Sequence, residues 1–335
     1  MSAVVTLTAQ EAKELFGTLS YLVPSKSEAT PIGLQLSNNR LRLTLNNGYI
    51  AAYEKEVSSI DEWESTFLYQ DSYAFITGEE GITLECDDYG VSLLSETCEC
   101  VFPNAYSVVG TVDFHEYEFK QMPSIDISEI RSLLKLNLEK IYKMTYPVYI
   151  RDGIAIVKYP SFYAQARVLE PFSGISLSLA HWGIIDKFAP TTYSQWNSQC
   201  LVIGKGSWTV MLPCTTSNQE NNFMPLLEDM SPVFQMNLHN YAESIRILAR
   251  VKGVEYCDLT IYPHGLRTTA RYGNTSTAVR YGNVDDSLIG TYSLPINVWI
   301  AMLNAIGDST AELLLGGGKL CLRNRTVAML LRVAA

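Results

Sequence analysis

Six stretches of this chain carry an apolar stripe at helical spacing, and each leads into a turn and a β-like run. The first, Thr8 to Leu22, lines up Ala12, Leu15, Phe16, Leu19 and Leu22 on one face. The second is weaker and falls at Gln70 to Ile76. The third, Ser128 to Lys143, presents Ile130, Leu133, Leu134, Leu138 and Ile141. The fourth runs from Leu179 to Phe188, and the fifth, His239 to Val251, turns Tyr241, Ala242, Ile245, Leu248 and Ala249 inward. The sixth is Pro295 to Ile306, with Ser293 near its cap and Pro295 in its first turn. Their starts recur about every 55–60 residues, a period that marks a structural repeat.

A second marker keeps step with the first. Turns at Asn38-Asn39, Asp87 to Gly90, Asp152-Gly153, Gly204 to Gly206, His264-Gly265 and Gly316 to Gly318 each precede a short alternating run, the pattern of a β-hairpin. The unit is therefore one helix plus about three antiparallel strands, an α+β arrangement. A single unit cannot bury both its sheet and its helix, whereas a pair can. Pairing predicts three similar domains, 1–112, 113–230 and 231–335, each of a usual domain size. The stretch from Gln219 to Pro232, with Pro225, Pro232 and several acids, has the composition of a linker.

Hydrophobic residues make up 47% of the chain and charged residues 18%, enough to build full cores and too apolar for a disordered polymer. No apolar run approaches the roughly 18 residues of a membrane helix, and Met1 to Leu7 has no signal-peptide pattern. The seven cysteines are odd in number and none is spaced as CxxC, which suits reduced core thiols in a cytoplasmic protein. The net charge of −10 argues against nucleic acid only if it is evenly spread.

The order and spacing of these segments resemble the β-type DNA sliding clamp, the polymerase processivity factor. The likeness is greatest in Thr8-Ala9-Gln10-Glu11-Ala12 with the Leu41 to Leu45 strand and Gly48 to Glu54. It returns in Leu294 to Trp299, Met302 to Ala305 and the closing Met329 to Arg332 strand. The resemblance implies a clamp fold of six repeats in three domains, closed into a ring by a head-to-tail homodimer. It implies a protein that encircles duplex DNA without reading sequence and tethers a DNA polymerase and a clamp loader through short peptides. The divergence of the motifs suggests a bacteriophage clamp, acting in the host cytoplasm.

Charge is unevenly distributed along the chain. Residues 1–112 hold 16 acidic and 5 basic residues, whereas residues 231–335 hold 7 and 10. A head-to-tail ring sets these two segments against each other with complementary sign. In the clamp family the helices line the hole. The resemblance thus assigns DNA contact to Arg131, Lys135, Lys140 and Lys143 of the third helix and to Arg246, Arg250 and Lys252 of the fifth. Long basic side chains there contact phosphates and leave the bases unread, as sliding requires. The plainer reading is an ordinary solvated helix face. The first helix departs from the pattern, because Glu11 and Glu14 outweigh Lys13, and the sixth offers only Asn297, Ala301 and Asn304.

The same resemblance places a partner-peptide groove at the turn from Lys158 to Tyr163, at the linker, and on the last strand. Its candidate residues are Tyr159, Pro160, Phe162, Pro225, Leu226, Met329, Leu331 and Arg332. Tyr159-Pro160-Ser161-Phe162 replaces the Asp-Gly-His-Arg type of turn, so Tyr159 and Phe162 have two readings, packing or ligand contact. Chemistry is not expected. Gly316-Gly317-Gly318-Lys319 lacks the Ser or Thr of a phosphate loop, the four histidines have no metal spacing, and no nucleophile–base pair stands out. No cofactor or metal is expected. Two other functions compete: a clamp-like scaffold without DNA sliding, and a β-rich structural or assembly protein, which would have no basic helical stripes.

Overall fold

The structure, a computed structural model, describes residues 3–23, 29–59, 61–70, 81–105, 109–110, 112–115, 117–122, 128–144, 147–151, 153–167, 175–196, 199–214, 230–237, 239–250, 253–271, 276–280, 284–307 and 310–333. Every repeat opens with a strand and closes with three more. The first consists of β1 (Ala3–Leu7), α1 (Ala9–Leu22), β2 (Thr30–Ser37), β3 (Arg40–Asn46) and β4 (Ile50–Glu56). The second gives β5 (Trp63–Tyr69), β6 (Ile82–Asp87), β7 (Gly90–Leu94) and β8 (Glu99–Pro103). Beyond Gln70, its expected helix lies outside the described residues. The third gives β9 (Lys120–Gln121), α2 (Ser128–Lys135), α3 (Leu138–Tyr142), β10 (Pro147–Arg151), β11 (Ile154–Tyr159) and β12 (Phe162–Arg167). The fourth gives β13 (Ser176–Ser178), α4 (Leu179–Phe188), β14 (Thr192–Trp196), β15 (Cys200–Lys205) and β16 (Trp208–Pro213). The fifth gives β17 (Ser231–Asn237), α5 (His239–Ala249), β18 (Tyr256–Tyr262), β19 (Gly265–Ala270) and β20 (Ser276–Arg280). The sixth gives β21 (Gly290–Pro295), α6 (Ile296–Ile306), β22 (Thr310–Gly316), β23 (Lys319–Arg323) and β24 (Val327–Arg332).

The strand ahead of each helix is not evident from the sequence pattern, and it has a specific destination. It leaves its own repeat and joins the sheet of the neighbouring one. The antiparallel pairs are β1 with β6 and β5 with β2, then β9 with β14 and β13 with β10, then β17 with β22 and β21 with β18. Consecutive repeats thus exchange their first strands, which ties them two by two.

Two compact units result: Met1–Pro123 with Gly183–Thr215, and Ser124–Trp182 with Thr216–Ala335. The expected middle domain, residues 113–230, falls partly in each. The first unit holds an eight-stranded sheet, β5-β2-β3-β4-β16-β15-β14-β9, and a four-stranded one, β1-β6-β7-β8. The second repeats the scheme with β13-β10-β11-β12-β24-β23-β22-β17 and β20-β19-β18-β21. Each long sheet is joined at its middle by the last strands of two repeats, β4 with β16 and β12 with β24, both antiparallel. The last strands of the second and fifth repeats, β8 and β20, lie at the ends of the short sheets.

In the first unit, α1 begins with a capping box. The Thr8 hydroxyl accepts from the Glu11 N–H at 3.4 Å, and the Glu11 carboxylate accepts from the Thr8 N–H at 2.8 Å. Its stripe of Ala12, Leu15, Phe16, Leu19 and Leu22 is buried as the spacing predicts. Glu14 takes the Ser207 N–H at 2.9 Å, and the Glu14 carbonyl takes the Trp208 indole N–H at 3.2 Å. Gly206 sits at φ 56° in the β15–β16 turn, where an added Cβ would be strained and would lie 2.3 Å from the Glu14 carboxylate, displacing it.

In the second unit the expected helix from Ser128 to Lys143 breaks in two. Asn137 takes the left-handed conformation, φ 48° and ψ 40°, and caps α3. Asparagine tolerates this geometry better than other non-glycine residues, so the apolar period continues across a break in the backbone. Helix α6 packs against α2, α3 and α5. It is apolar on nearly every side, as a helix enclosed by others must be. Its Trp299 indole donates to the Tyr241 hydroxyl at 3.2 Å, and Tyr241 in turn meets the Thr268 hydroxyl at 2.6 Å, all three buried. Gly317 and Gly318, at φ 55° and 69°, form the β22–β23 hairpin turn.

Candidate nucleic-acid interface and partner groove

The basic residues assigned to the third and fifth helices come together in the second unit, on α2, α3 and α5 around α6. Arg131 and Lys135 on α2, Lys140 on α3, Arg246 on α5 and Arg250 just after it are all exposed. Lys143 is exposed too and closes α3 in a left-handed turn at φ 54°. Lys252 lies outside the described residues. Arg246 is oriented by two neighbours. Its Nε and Nη2 reach the Asn304 side-chain oxygen on α6 at 3.2 and 2.6 Å, and its Nη1 stands 3.5 Å from Glu243. Asn304 is thus a second link between α5 and α6. Ala301 is buried, so Asn297 and Asn304 are the polar residues of α6 with access to solvent, and Ile300 is half-buried.

The acids of α1 are spent inside the first unit. Glu11 pairs with Lys55 at 2.5 Å, which lowers its pKa, with the Thr8 N–H second in effect. Glu14 holds the β15–β16 turn. The exposed polar residues of α1 between these anchors are Gln10 and Lys13. The sign of α1 in the raw sequence therefore overstates the negative charge it presents.

The groove residues separate by strand parity. Tyr159, Phe162 and Leu331 are paired across β11, β12 and β24, so they share one face. Tyr159 stacks on Tyr142 of α3 with centroids 4.7 Å apart, which marks this as the helix side. Tyr159 and Phe162 are 2% exposed, and Leu331 and Met329 0%. These four are core. Pro160 and Arg332 are exposed at the strand ends. Pro225 and Leu226 lie outside the described residues.

The opposite face carries the alternate residues. Lys158, Tyr163, Leu330, Cys321 and Leu314 stand opposite one another in one continuous row across five strands. Tyr163, Leu330, Cys321 and Leu314 cluster with Met230 and Ala328, and Ile156 packs beside them. One row further along, Glu312 and Arg323 form an ion pair at 2.7 Å. Together with Gln235, Thr310, Asn324 and Arg325 they line a cavity of about 390 Å³. The apolar side chains of the row are themselves buried, from 0% exposed at Cys321 to 7% at Tyr163, and form a second cluster beside the polar hollow. The signal available from sequence was the strand period of two: shifting the chosen residues by one places them on this face.

Six repeats of strands, five of them with a helix among the described residues, last strands meeting at the joints, and basic helices gathered on one layer define the DNA-clamp fold. Solved clamps match essentially end to end. The DNA polymerase sliding clamp of Caulobacter crescentus aligns with a TM-score of 0.73 at 11% identity, covering 100% of both chains. The Helicobacter pylori β clamp, solved with a DNA ligase peptide, gives 0.70 at 12% identity over 99% of this chain and 100% of that one. The Bartonella birtlesii clamp, DNA polymerase III subunit β bound to griselimycin, gives 0.72 at 11% over 100% of both. No protein-family model matches the chain, and no curated protein matches it by sequence. Among the described residues no helix is long and apolar enough to cross a membrane, and no group of three or more metal-ligating side chains assembles.

Proposed function

We propose that this chain is a sliding clamp. Two copies close head to tail into a ring around duplex DNA and tether a replicative polymerase in the cytoplasm; the protein itself catalyses nothing. The observation that carries the reading is the fate of the last strands. Within the chain, β4 meets β16 and β12 meets β24, while β8 and β20 remain at sheet ends. Joining β8 of one copy to β20 of the next repeats the same joint and leaves no such strand unpaired, a heterologous contact that closes. The acidic 1–112 and basic 231–335 segments then face each other, and the chain divides into three domains at 1–112, 113–230 and 231–335.

Arg131, Lys135, Lys140, Lys143, Arg246, Arg250 and Lys252 contact the phosphates of the encircled duplex. The partner peptide lies at the exposed Pro160 and Arg332, over the buried Tyr163 and Leu330 on the sheet face away from the helices, with Pro225 and Leu226 contributed by the linker. The test is topological. Protein loaded on nicked circular DNA stays bound while the circle is closed to passage and is lost once the DNA is linearised. Retention on linear DNA with free ends contradicts sliding by encirclement.

A further inference from the structure

The outward face of the short sheet β20-β19-β18-β21 has a composition that the clamp reading does not require. Along β18 the buried residues are Cys257, Leu259 and Ile261, so Tyr256, Asp258, Thr260 and Tyr262 point out. Tyr256 is 44% and Tyr262 42% exposed, unusual openness for large rings on a strand. Each ring has an arginine over it from the neighbouring strand side. Arg271 lies 5.8 Å from the Tyr256 centroid, and Arg267 lies 6.0 Å from the Tyr262 centroid. Tyr262 stands opposite Gly265, so the directly facing position on β19 carries no side chain and Arg267 reaches the ring from two residues along. The one acid on this face of β18, Asp258, is already engaged with Arg271 at 3.7 Å.

The topologically equivalent sheet of the first unit gives the contrast. Its outward residues include Glu85, Asp87 and Glu99, and none is an aromatic–arginine pair. In a chain of net charge −10, both described pairs of an exposed tyrosine with an overlying arginine fall on the fifth repeat. Rings supply stacking surfaces that accept any base, and arginines follow the phosphates; that pairing is how sheet platforms hold single strands. An acidic protein partner would use the arginines and gain little from two open rings.

We propose that this face binds single-stranded DNA without sequence preference, bases stacking on Tyr256 and Tyr262 and phosphates meeting Arg267 and Arg271. The site is separate from the helices assigned to duplex DNA. It would hold an unpaired strand against the outside of the protein.

The test is fluorescence anisotropy of a labelled 15-mer of thymidylate with the full chain. Y256A combined with Y262A should weaken binding by roughly tenfold or more, whereas Y256F with Y262F leaves it unchanged. R267A with R271A should lower the log–log salt slope by about 1.4. The R246E/R250E variant, altered on α5 and the residue that follows it, should bind the 15-mer as the unaltered chain does. Four results overturn the proposal: no binding of the 15-mer, equal losses for the Ala and Phe pairs, binding that ignores the rings but vanishes with the arginines, or loss in R246E/R250E alone. The third would indicate an acidic partner surface, and polyglutamate competing with the 15-mer would identify it. Circular dichroism of each variant guards against loss of fold.

Discussion

Arg246 on α5 donates two N–H groups to a single acceptor, the side-chain oxygen of Asn304 on α6, at 3.2 and 2.6 Å. The pair lies on the helix layer that gathers the basic residues, so it fixes where one cation points. Arg246→Ala with Arg250→Ala should lower the salt slope of duplex binding by about 1.8, as expected for two lost phosphate contacts. Asn304→Ala should weaken duplex binding less than Arg246→Ala, because the charge remains and only its direction is lost. Filter binding across a salt series measures both. An unchanged slope in the double variant would move the DNA contacts elsewhere.

The buried chain Trp299–Tyr241–Thr268 gives a stability prediction. Tyr241→Phe keeps the ring but leaves the Trp299 indole N–H without its acceptor, and the expected cost is about 1–3 kcal/mol. Trp299→Ala also empties the middle of α6 and should cost roughly 3–5 kcal/mol. Urea unfolding followed by tryptophan fluorescence and circular dichroism compares them. If Tyr241→Phe costs nothing measurable while Trp299→Ala keeps its full cost, ring packing rather than the hydrogen bond is at stake.

Glu11 sets a pH dependence. Lys55 and the Thr8 N–H hold its carboxyl below the ordinary value of 4.5, so the folded state favours the charged form. That contribution is complete above about pH 4.5 and is lost as pH falls through the lower folded value. Glu11→Gln should therefore destabilise the first unit at pH 7, and the gap to the unaltered chain should narrow in acid. Thermal melts at pH 7 and pH 3 test the sign; a gap that widens in acid contradicts it.

The thiols should fall into two classes. Cys86, Cys257 and Cys321 are buried, and desolvation pushes each up to about 12. Cys98 and Cys100 are half-exposed. At pH 8 a thiol reagent should modify Cys98 and Cys100 first and reach the buried three only after unfolding. Fast modification of Cys257 or Cys321 would mean that the cores open.

How far the sequence reached follows from which periods it encodes. Helical stripes such as Ala12 to Leu22 and hairpin turns such as Asn38-Asn39 are local signals, and they located the repeat. The break at Asn137 was invisible because Ile130, Leu133 and Ile141 keep the helical period across it. The exchange of β1 and β5, or of β17 and β21, is a pairing between distant strands, which no local pattern specifies. Strand faces were not legible either: on β12 both Phe162 and Tyr163 are aromatic, and only the pairing with Leu331 and Leu330 tells which one faces the helices. The acids of α1 misled for a similar reason, since Glu14 meets Ser207 across nearly two hundred residues of chain.

The proposed ring closes through β8 and β20, and the most direct test is mass in solution. Sedimentation equilibrium should give twice the chain's 37.4 kDa. Val101→Glu, placed on β8 where Val101 is 56% exposed, should shift the population toward one chain without lowering thermal stability. A stable single chain at micromolar concentration, or an assembly indifferent to Val101→Glu, would contradict a ring closed through these two strands.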